Sequence, residues 1–250
     1  LAVNGPAHQM FGGNTSCVEI AHGARSLVFD AGSGLLPCGD ALLERGAKEI
    51  DIFLTHFHAD HLCGLPFFPP FFDASFTVRL HSFDTGNATT QAAIDAYMRP
   101  PLFPVTRDIF NAQVEFFTHP SSMQIDIGDF KIDACPIPHP GGAHALRASS
   151  GGRSCVYATD TEHQPDKPNT ELIAFMKHAD LAIYDCTYCD EEFDARMGWG
   201  HSTWQEGVRL AQAAAVKNFA IFHHDPQRSD AALLDIERSA RELFASAFAA

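Results

Sequence analysis

Residues 54–61 read Leu-Thr-His-Phe-His-Ala-Asp-His, so His56, His58, Asp60 and His61 fall within six positions directly after an apolar run. Neutral imidazole suits Zn²⁺, and a carboxylate beside it adds charge and accepts Mn or Fe. His56 and His58 are two apart, so side chains leaving an extended segment there can point toward one cation. Asp60 and His61 then stand at the start of a turn or helix, where they can reach a second cation. A lone histidine is usually a satisfied core or surface residue. Four metal-binding groups packed this densely at a strand end would be costly to bury without a common partner.

The elements that must position such a cluster show the same habit along the chain. Short aliphatic runs end on residues that can bind or orient a metal: "SLVFD" at Asp30, "IDIFLTH" at His56, "FKIDACPIPH" at His139, "SCVYATD" at Asp160, "LAIYD" at Asp185 and "FAIFHHD" around His223. Bounded by Gly, Pro, Asn or Asp, these runs predict buried strands of a layered α/β protein with ligands at their C-terminal ends. Helices are expected over "GDALLERG", "TTQAAIDAYM", "TELIAFMKHA" and "STWQEGVRLAQAAAV", the last presenting Trp204, Val208, Ala211 and Ala215 on one face. Ser202 with Gln205, or Thr203 with Glu206, supplies its N-terminal cap. Ser229 and Asp230 open a final helix striped by Leu233, Ile236, Ala240, Leu243 and Phe244. Residues 98–120, rich in Pro and Phe, are expected to be irregular, as a lid or an insertion. The run "LPFFPPFF" is either core or a pocket wall.

Composition narrows the function classes. A length of 250 residues with 46% hydrophobic and 19% charged residues fits one globular domain over 1–250. No apolar stretch approaches the ~20 residues a membrane helix needs. The net charge of -14, with no Lys/Arg cluster, disfavours a nucleic-acid partner. Seven scattered cysteines make an odd count, and the single C-x-x-C, Cys186 and Cys189, is expected to be two core thiols, which fits a reducing cytoplasm. The chain opens at Leu1 without methionine, which leaves open whether a segment precedes it. A homodimer is the candidate assembly.

The segment "THFHADH" resembles the H-x-H-x-D-H signature of the metallo-β-lactamase-fold hydrolases. With "GGNTSCVEI", "LVFDAGSG", "HPGG", "YATDTE", "GWGHST" and "FHHDPQRSD" in that order, nearly the whole chain resembles the subgroup that contains ribonuclease Z and the cyclic phosphodiesterases. The resemblance implies a four-layered αβ/βα sandwich with a dinuclear site, two divalent ions, Zn first and Mn or Fe as alternatives. It implies His56, His58 and His139 on one ion, Asp60, His61 and His223 on the other, and Asp160 bridging them. His139 is preferred to His144 because it closes a strand before "PGG", and His223 to His224 because it comes first after "AIF". Asp30 and Asp185 either orient imidazoles from behind or cap loops near solvent. Two divalent cations, offset by Asp60, Asp160 and one hydroxide, leave an anion-seeking pocket if the histidines stay neutral. The expected substrate is therefore a small phosphate ester, with Asp60 and His201 as catalytic residues and His201 as the acid for the leaving oxygen. The alternatives are a tRNA 3′-processing endoribonuclease, a lactone or thioester hydrolase of the same fold, and a non-catalytic metal-binding or sensing domain.

Overall fold

The computed structural model describes residues 2–23 and 25–250. Two compact units emerge from the backbone, one built on Asn14–Ser121 and the other on Val3–Gly13 with Ser122–Ala250. Each has its own sheet, as an α/β fold requires.

In the first unit the strands β1 (Val18–His22), β2 (Arg25–Phe29), β3 (Glu49–Leu54), β4 (Thr77–Phe83) and β5 (Gln113–His119) lie side by side in sequence order. β1 and β2 form an antiparallel pair, and β2 to β5 run parallel. Helices α1 (Leu35–Glu44) and α2 (Thr90–Tyr97) supply the crossovers from β2 to β3 and from β4 to β5, and short 3₁₀ turns within 59–72 lie on the connection from β3 to β4. Strand alternation sends Val28, Ile50, Ile52, Leu54, Val78 and Leu80 into a core with Leu35, Leu42, Phe68, Phe71 and Ile94. Phe68 and Phe71 therefore settle half of "LPFFPPFF" as core, while Phe67 and Phe72 are 56% and 43% exposed. The other face carries a buried polar chain. Asp51 meets Arg25 Nη1 at 3.4 Å and His81 Nε2 at 3.2 Å, and His81 Nδ1 meets His119 Nε2 at 3.0 Å. Residues 98–120 are not wholly irregular, because β5 occupies 113–119. Its half-polar pattern is that of an edge strand, paired on one side with β4.

The second unit carries β6 (Ile125–Ile127), β7 (Phe130–Ile137), β8 (Ala143–Ser150), β9 (Arg153–Ala158), β10 (Leu181–Asp185), β11 (Phe219–Phe222) and β12 (Ala247–Ala249). Their spatial order is β12-β11-β10-β9-β8-β7-β6, antiparallel from β6 to β9 and parallel from β9 to β12. The helices are α3 (Thr170–Met176), α4 (Asp190–Phe193), α5 (Trp204–Ala213) and α6 (Asp230–Leu243). Thr203 is the residue that caps α5, its side chain accepting from Glu206 N, and Ser229 caps α6 from Ala232 N. Trp204, Val208 and Ala211 are buried as expected. Ala215 is not on that face: α5 ends at Ala213, and Ala215 turns the chain away at φ +52°. Leu243 likewise leaves the α6 stripe and is 56% exposed, because the helix ends there. Cys186 is buried and Cys189 half-buried, both unoxidised.

Candidate metal centre

In the first unit, β2 and β3 deliver the loops of Asp30 and of His56 to His61 side by side, with Asp30 N donating to Phe53 O at 2.9 Å. Asp30 follows β2 at φ +60°, a left-handed conformation that turns its carboxylate back toward the end of β3. That carboxylate is wholly buried, accepts from Thr55 N at 2.8 Å and lies 2.9 Å from Thr55 Oγ1 and 2.8 Å from His61 Nδ1. Thr55 Oγ1 is in turn 3.0 Å from His56 Nδ1. With its hydroxyl proton on Asp30, Thr55 accepts from His56 Nδ1–H, so one aspartate orients two imidazoles and makes Nε2 the lone-pair nitrogen of each. The rings of His58 and His61 have centroids 4.4 and 4.2 Å from that of His56. Gly32 is what lets this loop close: a Cβ there would collide with Thr15 Oγ1 and the carbonyls of Ser16 and Asp60.

The second unit repeats the device. Asp185, at the end of β10 and wholly buried, lies 2.9 Å from His201 Nδ1 and 2.8 Å from Thr187 Oγ1, and accepts from Thr187 N at 3.1 Å. Thr187 Oγ1 is 3.1 Å from His223 Nδ1. His139 donates from Nδ1 to Gly200 O at 2.8 Å. Asp160, just past β9 and also left-handed at φ +54°, turns its oxygens to two different rings: Oδ1 is 3.0 Å from His223 Nε2 and Oδ2 is 3.7 Å from His139 Nε2. Asp160, Asp185, His201 and His223 each offer a ligand atom within 4.8 Å of the others. Asp160, with the imidazoles of His139 and His223 whose Nδ1 atoms are already committed, fits a divalent cation by the chemistry of the donor set, while Asp185 is taken up by His201 and Thr187.

The two alternatives left open in the sequence, His144 and His224, both belong to the second unit. His144 lies inside β8 opposite Pro136. His224 directs Nε2 to Ala250 O at 2.9 Å, and burial pushes its pKa down to about 4. Asp30 and Asp185 are not solvent-side loop caps but buried carboxylates behind the imidazoles. Three contributors were not foreseen from the sequence: Thr55, Thr187 and Glu162. Glu162 accepts from Gly198 N and Gly200 N, each at 2.8 Å, and so fixes the loop that carries His201. The signals were a threonine directly before a histidine, a threonine two after an aspartate, and an acid two after Asp160. Gly200 has φ +86°, and a Cβ there would collide with the His139 ring.

Sheets that carry histidines and aspartates on the C-terminal ends of their strands define an α/β protein of the metallo-hydrolase type. A family profile described as a Beta-lactamase superfamily domain matches residues 25–224, and the chain belongs to that family, with the metallo-β-lactamase fold. It is similar to a probable metallo-hydrolase, YhfI, of Bacillus subtilis, 26% identical over 88% of this chain and 89% of that one. The crystal structure of YhfI superposes with a TM-score of 0.69 at 20% identity, covering 98% of this chain and 92% of that one. Ribonuclease Z of Thermoplasma volcanium is 26% identical over 85% of this chain and 84% of its own. A crystal structure described as a diphosphatase from the PhnP family gives a TM-score of 0.65 at 21% identity, covering 94% of this chain and 80% of that one. Among the described residues, no helix is long and apolar enough to cross a membrane.

Proposed function

We propose that this chain is a metal-dependent phosphodiesterase acting on a small or cyclic phosphodiester. The ligand set is the one the family resemblance implies: His56, His58 and His139 for one divalent ion, Asp60, His61 and His223 for the other, and Asp160 shared. The observation that carries the reading is the paired orientation of imidazoles by Asp30 through Thr55 and by Asp185 through Thr187. It presents several lone-pair nitrogens beside carboxylates, which is the requirement of a cation site and not of a hydrophobic core.

Divalent ions bound there, Zn first, would supply Lewis acidity toward the phosphoryl oxygens and lower the pKa of water toward ~7. The chain's own residues then do the rest. Asp160 divides its two oxygens between His223 and His139. His201, with Nδ1 held by Asp185, directs Nε2 at the leaving oxygen, and Asp185 stabilises the imidazolium from which that proton is given.

A second reading, a tRNA-processing ribonuclease, is favoured by the ribonuclease Z relative that matches along most of the chain. The net charge of -14 weighs against a long polyanion. Protein of measured metal content, assayed at ~150 mM salt on bis(p-nitrophenyl) phosphate, cyclic nucleotides, precursor tRNA and a lactone, separates the readings. Turnover of the small diesters with weak, salt-sensitive tRNA cleavage is the expected result. Tight tRNA binding at that salt promotes the ribonuclease, and turnover of the lactone alone overturns both.

A further inference from the structure

Trp199 is 60% exposed, although it lies two residues from His201, the proposed acid. A large aromatic side chain in water forgoes burial, and such exposure is ordinary on a mobile loop tip. This loop is anchored at several points. Glu162 accepts from the backbone N–H groups of both neighbours of Trp199, Gly198 and Gly200. Gly200 O accepts from His139, and Trp199 N donates to Arg196 O at 3.1 Å. The Arg196 guanidinium stands 5.0 Å over the Trp199 ring and 5.9 Å over that of Tyr188, and Tyr188 packs edge-on to His201 at 6.1 Å. The indole is thus backed by a cation on one face and displayed on a fixed segment beside the residue that would serve the leaving group.

Resting on the phosphodiesterase reading, the geometry points to Trp199 as a specificity-determining residue that stacks the planar base of a nucleoside phosphodiester. Indole faces stack on any nucleobase without hydrogen-bond readout, so the platform selects a planar leaving or retained group and tolerates its identity. The Arg196 guanidinium holds the indole in place through its electron-rich ring face and leaves the opposite face to the base. An aliphatic ester, with nothing to stack, gains nothing from it.

The test compares the metal-loaded wild type with Trp199→Ala and Trp199→Phe, on adenosine 2′,3′-cyclic phosphate and on glycerol 1,2-cyclic phosphate. The ratio of kcat/KM, nucleotide over glycerol ester, should fall roughly ten- to hundredfold in Trp199→Ala and be largely restored in Trp199→Phe, with metal content unchanged. The chain has two tryptophans, and Trp204 is only 8% exposed. Adenosine 2′-monophosphate should therefore quench the exposed fluorescence, which inorganic phosphate at the same concentration should not. An unchanged ratio in Trp199→Ala, or equal quenching by both probes, overturns the platform. If wild type turns over neither ester, the phosphodiesterase reading fails instead. Quenching by the nucleotide alone then still supports the platform, and its absence removes it.

Discussion

Asp30 Oδ2 lies 2.8 Å from His61 Nδ1, and both side chains are wholly buried. Asp185 Oδ2 stands in the same relation to His201 Nδ1 at 2.9 Å. In each unit a threonine hydroxyl carries the same carboxylate's influence to a further imidazole, His56 through Thr55 and His223 through Thr187. The same three residue types solve the same orientation problem in both units.

Removing the hydroxyl while keeping its shape isolates that relay. Thr55→Val should weaken metal affinity by about 10- to 100-fold without unfolding the protein, since His56 loses its hydrogen-bond acceptor and Asp30 loses one donor while keeping the backbone N–H of residue 55 and the ring of His61. Competition against a chromophoric chelator measures the change; affinity equal to wild type would show that the relay is incidental.

Purified protein should carry close to two divalent ions per chain, expected from the proposed ligand set. Asp60→Ala should lose one of them preferentially, because its carboxylate and His61 are assigned to the same ion. Elemental analysis of protein prepared without chelator decides this. A content near zero that added Zn or Mn does not restore is the outcome that rejects the site.

His201→Ala should keep its fold and its metals, because its proposed task is proton delivery. The expected loss is about 10²- to 10⁴-fold for an alkyl or ribose leaving group and much less for p-nitrophenolate, which leaves without a proton. Loss of metal in the variant would make His201 a ligand. An equal deficit on both substrates would make it a phosphate-binding residue.

Acid sensitivity should trace in part to His119. Burial, and then the neighbouring His81, lower its pKa from 6.5 to about 4. The unfolded chain therefore takes up a proton that the folded chain refuses between those values, so stability falls as pH drops from about 6.5 to about 4. His119→Asn should flatten that part of a Tm-against-pH curve; an unchanged slope would place the sensitivity elsewhere.

Much of the candidate site was legible because the proposed ligands sit at strand ends, where local pattern and chemistry coincide. His56, His58, Asp60 and His61 needed no long-range knowledge, and the runs ending at Asp30, Asp160, Asp185 and His223 marked four more strands. What escaped was set by contacts between distant segments. The partnership of Thr55 with Asp30 spans 25 residues, that of Thr187 with His223 spans 36, and that of Glu162 with Gly200 spans 38. Helix ends were misjudged for a related reason: Ala215 continues the apolar period of α5, but left-handed backbone at that residue has already ended the helix.

Glu162 has one further consequence. It sits two positions after Asp160, so the strand end that offers a carboxylate to the site also holds the backbone of the Gly198–Gly200 turn. A segment spanning 196–201 is in that sense a cassette plugged into a socket, and Glu162 is the part of the socket that grips its backbone N–H groups, beside His139 and Asp185. Grafting the equivalent loop of a relative into this scaffold should transfer its substrate preference when Glu162 is kept and the turn glycines travel with the graft. The same exchange into a scaffold lacking an acid at that place should yield a loop of correct sequence that does not hold its histidine in register.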